Sequence, residues 1–148
     1  MDPVASKLLE CYPVVIQLPV QWGDQDAFGH VNNCIYIRWF ESARIAYADR
    51  TGLTSLMSAQ KIGPILAAVA CNFRRQLNFP DTVEIGARIS RLGRSSMTME
   101  HLIVSQSQQS AVADGDSTIV CFDYAANKPI AIPDSIRQAV EQLEGKRF

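Results

Sequence analysis

The sequence predicts an α+β fold in which one antiparallel sheet of about five strands wraps around a long central helix. Residues 33–50 are apolar around most of a helical circumference, which is typical of a helix buried on several sides. A period-2 alternation over residues 14–22, and four more alternating runs after Pro64, indicate half-buried strands. The breaks between the later runs are short, as expected for antiparallel hairpins.

Capping and turn residues set the expected limits of these elements. Asn32 is a good N-cap for the long helix, and Gly52 is a good C-cap. Pro19 cannot donate to a ladder, so the first strand is expected at an edge or at a bulge. We further predict a helical turn or frayed arm over 1–11, a short helix over 53–61, a bulge near 113–116 and an amphipathic helix over 136–143.

Length and composition predict a single domain over residues 1–148. The net charge of −1 gives no reason to expect nucleic acid or an anionic membrane as the main partner. No basic start with a long apolar core and no span of bilayer length is present, so no signal peptide and no membrane insertion are expected. The four cysteines form no C-x-x-C pair, which favours reduced thiols, a cytoplasmic location and no zinc site.

The junction between the first strand and the long helix carries the candidate chemistry. Two acids, Asp24 and Asp26, precede the turn residue Gly29, and His30 follows before the helix begins. The free N–H groups of a first helical turn would point toward a carboxylate placed there. Such N–H groups can stabilise a developing oxyanion, which makes the junction a plausible place for acyl chemistry.

This junction resembles that of the hotdog-fold thioesterases of the 4-hydroxybenzoyl-CoA thioesterase and YbgC-like acyl-CoA thioesterase type. The family pattern is an aromatic-x-D-x-D-x-x-G turn, an N-x-x-Y helix start and a later E-x-x-R. The segment 29–36 is also similar to the HVNN segment of plant acyl-ACP thioesterases. The matching residues are Trp22, Asp24, Asp26, Gly29, Asn33, Tyr36, Glu41 and Arg44.

The resemblance implies a hotdog fold and a role for each matching catalytic position. By this resemblance, Asp26 corresponds to the catalytic carboxylate, which acts as a nucleophile or as a general base for water. The backbone N–H near Asn33 polarises the thioester carbonyl, and His30 corresponds to the histidine with a catalytic role in the plant enzymes. The plant asparagine two residues before that histidine is Phe28 here. The family also implies a homodimer or homotetramer that binds the acyl chain between two subunits, without a cofactor.

Each candidate residue also has a purely structural interpretation. Asp26 could simply cap the turn, His30 could bind backbone, and His101 fits an ordinary strand position. Glu41 and Arg44 are expected to form a structural ion pair. Arginines 74, 75, 91 and 94 and Lys128 could meet CoA phosphates, and the turn 91–96 is the best of these positions. The predicted substrate-binding residues are Gly29, Tyr36, Phe40, Arg91, Arg94 and Ser95.

The function predicted from the sequence is acyl-CoA thioester hydrolysis to a free acid and CoA. No serine-hydrolase G-x-S-x-G, nucleotide-binding motif or metal-ligand spacing is present, so neither a metal nor a cofactor is expected. Two alternatives remain: a non-catalytic module that binds acyl thioesters, and a hotdog dehydratase or hydratase. The acyl group, and CoA versus acyl carrier protein as its carrier, stay open.

Overall fold

A computed structural model describes residues 3–148 and shows one antiparallel sheet curled around a long helix. The strand order is β1-β3-β4-β5-β2, and the short β6 pairs with the outer end of β5. This confirms the predicted α+β hotdog architecture. The prediction for residues 1–2 lies outside the described residues. The elements are α1 (Pro3–Leu8), β1 (Val14–Pro19), α2 (Asn33–Thr51), α3 (Leu53–Gln60), β2 (Ile62–Phe73), β3 (Thr82–Leu92), β4 (Ser96–Ser105), β5 (Ser110–Asp123), β6 (Lys128–Pro129) and α4 (Asp134–Glu144).

The central helix α2 begins and ends at the predicted capping residues. The Asn32 side chain accepts a hydrogen bond from the Cys34 N–H at 2.9 Å. Gly52 adopts φ +85° and its N–H donates to the carbonyl of Ala48, which closes the last turn. Both capping predictions are therefore confirmed.

The prediction that α2 is buried on several sides is wrong for the single chain. Its buried side chains recur at helical spacing and form one stripe against the sheet. The opposite side is open, and Ile45 there is 54% exposed. The reason is geometric, because one sheet covers one face of the helix and α3 and α4 cover only part of the rest. The buried stripe consists of Tyr36, Trp39, Phe40, Ala43, Tyr47 and Thr51.

The bulge predicted near 113–116 is also misplaced. The register between β4 and β5 shifts at Val112, and the register between β2 and β5 shifts at Ala67. Residues 114–116 pair regularly with both neighbours. The need for glycine at position 115 comes from close packing and not from a bulge. A Cβ at this position would lie 2.1 Å from the carbonyl oxygen of Ala70 and 2.8 Å from the ring of Phe40. The glycine therefore permits close packing of strand and helix.

The two edges of the sheet differ in length. The six-residue β1 ends at Pro19, which confirms the predicted edge position. The other edge is the twelve-residue β2, which exposes apolar side chains including Ile65, Leu66 and Phe73. Among the described residues, no helix is both long enough and apolar enough to cross a membrane.

Candidate functional site

A compact turn between β1 and α2 holds the two acids of the motif. A short 3-10 turn spans Trp22–Asp24, and the Asp24 carboxylate accepts the N–H of Gln21 at 2.8 Å. The carbonyl of Asp24 accepts the N–H of Asn32 at 3.0 Å. Asp24 therefore ties the end of the strand to the start of the helix, in agreement with a structural role.

Asp26 occupies the tight turn that follows. Its N–H donates to the carbonyl of His30 at 2.9 Å, and its carbonyl accepts the N–H of Gly29 at 3.1 Å. Gly29 has φ +85°, a left-handed conformation that glycine adopts without strain. One carboxylate oxygen of Asp26 accepts the N–H of Phe28 at 2.8 Å. The other oxygen receives no hydrogen bond from the part of the chain that the structure describes, and the side chain is half-buried.

A cavity of about 230 Å³ lies at the N-terminus of α2, beside this turn. It brings together three predicted site residues, His30, Asn33 and Tyr36. The Tyr36 hydroxyl donates to the carbonyl of Arg75 at 3.1 Å, and its ring meets Phe73 edge-on at 5.1 Å. Burial raises the pKa of Tyr36 to about 12, so this phenol stays protonated. Within one chain Asp26 borders the cavity through the turn but its side chain does not line it.

Arg74 and Arg75 line this same cavity, although the turn 91–96 was the preferred candidate for binding CoA phosphates. Arg74 is paired with Asp114 at 2.8 Å, which holds the pKa of that carboxyl below its usual value. Arg75 has no side-chain partner among the described residues, and its backbone N–H is bound to the carbonyl of Val112. No local motif marks these positions, because the end of β2 meets the start of α2 only in the folded chain.

The remaining predicted substrate-binding residues do not join this cavity. Phe40 is fully buried and stacks on the ring of His101 with centroids 4.4 Å apart. Arg91 lies near the end of β3, and Arg94 and Ser95 lie in the β3–β4 turn that follows. The eleven-residue β3 separates them from the Asp26 loop by about 30 Å. Their roles in substrate binding stay predictions.

A buried polar network joins His101, which lies in β4 at the expected strand position, to Ser117 and Arg44. His101 is 1% exposed, and its Nε2 lies 2.9 Å from the hydroxyl of Ser117, which also accepts from Arg44 at 3.0 Å. Burial first, and the Arg44 charge second, lower the pKa of His101 to about 3. The expected Glu41–Arg44 ion pair is not formed, because no carboxylate among residues 3–148 lies within 4 Å of the Arg44 guanidinium.

Metal-binding capacity is absent from this region as far as the structure describes the chain. No group of three or more histidine, cysteine, aspartate or glutamate side chains is arranged to hold a metal ion. The four cysteines are free, with Cys121 buried and Cys11 and Cys34 exposed.

A sheet curled around one face of a long helix defines a hotdog fold, and an acidic turn lies at the N-terminus of that helix. Residues 20–140 match the family model of the thioesterase-like superfamily. The chain therefore belongs to this superfamily, which confirms the predicted family and the predicted enzyme class, a thioester hydrolase.

Individual relatives agree with this assignment. The chain is 27% identical over 127 residues to the long-chain acyl-CoA thioesterase FadM of Escherichia coli K12, covering 86% of this chain and 96% of FadM. It is 31% identical to a Thermus thermophilus thioesterase solved with coenzyme A and zinc, with a TM-score of 0.83 over 94% of this chain and 99% of that one. A gentisyl-coenzyme A thioesterase is 30% identical, with a TM-score of 0.76 over 85% and 98%.

Proposed function

We propose that this protein is an acyl-CoA thioesterase in which Asp26 acts at the N-terminus of α2. The observation that carries the proposal is the turn itself. It holds the Asp26 carboxylate through one oxygen, leaves the other oxygen without a hydrogen bond from residues 3–148, and leads directly into the helix. The relatives named for acyl-CoA hydrolysis support CoA as the carrier.

The first turn of α2 supports a specific oxyanion donor. The Cys34 N–H is taken by the Asn32 side chain, and the Ile35 N–H is taken by the Asn32 carbonyl. The Asn33 N–H has no partner within the described residues, and Asn33 is one of the residues that line the 230 Å³ cavity. An N–H left free at a helix N-terminus suits the negative oxygen of a tetrahedral intermediate.

The reaction then has two routes. As general base, Asp26 takes a proton from water while the oxygen attacks the thioester carbonyl, and collapse of the intermediate expels the CoA thiolate. As nucleophile, Asp26 attacks the carbonyl directly, the C–S bond breaks with loss of the CoA thiolate, and water hydrolyses the resulting mixed anhydride to the free acid and the restored Asp26 carboxylate. The His30 side chain lines the cavity and is positioned to orient water or substrate in either route.

The proposed enzyme is a homo-oligomer built through β2. The outer edge of this twelve-residue strand is unpaired in the single chain, and long apolar edges tend to be covered in native proteins. Antiparallel pairing of two β2 edges would place two sheets side by side, as the family resemblance implies. Sedimentation equilibrium that returned only monomers at micromolar concentration would contradict this part. A cytoplasmic location, inferred from the reduced cysteines, belongs to the same proposal.

The test is thiol release from a panel of short, long and aromatic acyl-CoAs by the Asp26→Asn variant. We expect kcat to fall by about 10²–10⁴-fold with unchanged circular dichroism and oligomeric state. Asp24→Asn is the matched control, since an asparagine oxygen still accepts the Gln21 N–H. Turnover near that of the wild type in Asp26→Asn would end the proposal.

A second candidate rests on the absence of Asp26 from the walls of both cavities. Its side chain lines neither cavity in the single chain, which favours a module that binds acyl thioesters without turnover. Tight binding of a thioether analogue of acyl-CoA, with no thiol released from any acyl-CoA or acyl carrier protein, would support this candidate. A change in enoyl-CoA absorbance would instead indicate a dehydratase or hydratase.

A further inference from the structure

A larger cavity of about 350 Å³ lies against the C-terminal half of α2, away from the Asp26 turn. Three helices and three strands contribute to its walls: α2, α3, α4, β2, β4 and β5. Its inner wall consists of buried hydrocarbon and thioether groups from Met97, Met99, Ile119, Ile136 and Val140. The interior therefore offers no polar partner to a ligand.

Most polar side chains on the remaining wall are already hydrogen-bonded. The Tyr47 hydroxyl donates to Glu144 of α4, and the hydroxyl of Thr51 bonds to backbone carbonyls of α2. The hydroxyl of Thr54 donates to Asp49 at 2.7 Å. The polar groups still available to a ligand are therefore the two charged side chains on α2, Glu41 and Arg44.

Arg44 is fixed at this cavity by a buried neutral network. Its Nη1 donates to Ser117 at 3.0 Å, and Ser117 is held in turn by His101 at 2.9 Å. The remaining guanidinium N–H groups have no partner within residues 3–148. The Arg44 side chain is half-buried and forms no ion pair with residues 3–148. This burial lowers the pKa of Arg44, and the nearby Glu41 charge opposes the shift. Such a group favours a ligand oxygen.

We propose that this cavity binds the hydrocarbon chain of an aliphatic acyl group, with Arg44 donating hydrogen bonds to the carboxyl oxygen at the head of the chain. The proposal rests on the proposed function in taking this acyl group to be that of the substrate. A fatty acid product and an acyl thioester share the chain and a C=O oxygen that can accept from Arg44, although only the acid carries a carboxylate. A hydroxylated aromatic acyl group is disfavoured, because its hydroxyls would lie unpaired among methionine and isoleucine side chains.

The volume limits the length of the chain. At about 30 Å³ for each water-sized group, the cavity of about 350 Å³ has room for about ten to twelve methylene or methyl groups. The substrate class is accordingly a medium-chain acyl thioester, with longer chains projecting from the mouth.

The position of the cavity connects it to the partner chain of the proposed dimer. Within one chain, Arg44 lies about 17 Å along the α2 axis from Asn33. Pro64 and Leu66, at the start of β2, line the large cavity, whereas Phe73, at the end of β2, lines the smaller one. Antiparallel pairing of two β2 edges places the start of one strand beside the end of the other. The large cavity of one copy then adjoins the Asp26 turn of its partner.

The first test is binding of unbranched fatty acids from six to sixteen carbons to Asp26→Asn, measured by calorimetry. Affinity should rise about three- to fourfold for each added methylene up to about twelve carbons and then level off. A flat series, or binding of 2,5-dihydroxybenzoate but not of dodecanoate, would overturn the proposal.

The second test compares matched variants. Arg44→Met should weaken dodecanoate binding by about 10- to 100-fold and leave dodecanol unchanged, because only the acid offers a carboxylate to the guanidinium. Arg38→Met, on the exposed side of the same helix, is the control. Equal affinity of dodecanoate for wild type and Arg44→Met would contradict the assignment of Arg44.

The third test blocks the cavity. Ala48→Phe, at the cavity wall, should weaken both dodecanoate and dodecanol at least tenfold, whereas Ala59→Phe on the exposed side of α3 should not. Thermal unfolding checks the fold, and if Ala48→Phe is unfolded the chain-length series and the Arg44 pair decide. If a dimer forms and dodecanoate no longer binds to it, a second copy occupies the cavity and the proposal is wrong.

The same experiments separate this inference from the proposed function. Thiol release from acyl-CoA without any fatty acid binding would reject the cavity assignment alone. Chain-length-dependent binding without thiol release from any acyl-CoA would reject the thioesterase proposal alone. Dodecanoyl-CoA and dodecanoate compared on Asp26→Asn distinguish substrate binding from product binding at the site.

Discussion

The buried histidine of β4 should make the stability of this protein sensitive to mild acid. His101 stacks on Phe40, contacts Ser117 and lies near the Arg44 cation, and its Nδ1 forms no hydrogen bond of standard geometry with residues 3–148. Protonation of the ring inside this environment would place a second cation beside the first. The pKa of His101 therefore falls from 6.5 to about 3, chiefly through burial, although the backbone of Gly86 opposes the shift.

The sign and size of the effect follow from linkage. The unfolded chain binds a proton on this imidazole below pH 6.5, whereas the folded chain does so only near pH 3. The stability contributed by the neutral ring is thus complete above pH 6.5 and is lost as the pH falls toward 3. Between pH 8 and pH 5 the loss from this one group is about 2 kcal/mol, at about 1.4 kcal/mol for each pH unit below 6.5.

The assay is urea denaturation of wild type and His101→Gln at several pH values from 8 to 5. Glutamine does not titrate and keeps an amide to meet Ser117, so the variant should lose about 2 kcal/mol less than wild type over this range. His30→Gln, at the other histidine of the chain, is the matched variant. If wild type and His101→Gln lost the same free energy of unfolding, the buried ring would not be the group that titrates.

Substitutions at two further positions test the capping of α2 and its packing against the sheet. Asn32→Ala removes the N-cap and should lower the free energy of unfolding by about 1 kcal/mol in urea denaturation. Asn32→Asp keeps a hydrogen-bond acceptor and should lower this free energy little. An equal loss of free energy of unfolding in both variants would show that the cap is unimportant. Gly115→Ala should lower stability by about 1–3 kcal/mol or more, because the new Cβ would lie 2.1 Å from the Ala70 carbonyl and must displace a strand. An unchanged midpoint of thermal unfolding in Gly115→Ala would contradict the close approach described above.

The elements and their ends were determined by local sequence. Asn32 and Gly52 act within a few residues of themselves, so their capping roles are readable without a fold. Pro19 marks an edge strand because the missing N–H is a property of the residue alone. The motif from Asp24 to Tyr36 likewise identified the family, since the whole strand-turn-helix junction lies in one short segment.

The composition of the cavities was decided only by tertiary structure. Tyr36 meets Arg75 because β2 returns to the start of α2, and Arg44 meets Ser117 rather than Glu41 because β5 lies beneath that helix. These pairs are separated by 39 and 73 residues, and no local pattern encodes their distance.

The misplaced predictions have the same origin. The apolar pattern of α2 predicts that Phe40 is buried but does not show whether the sheet or a ligand cavity lies opposite its ring. The sequence pattern likewise does not show that β3 carries Arg91 to the far end of the sheet. The burial of His101 follows from the register of β4 against β5, a long-range property of the sheet. Local sequence therefore determined which elements form and where they end, whereas strand pairing decided which side chains share a site.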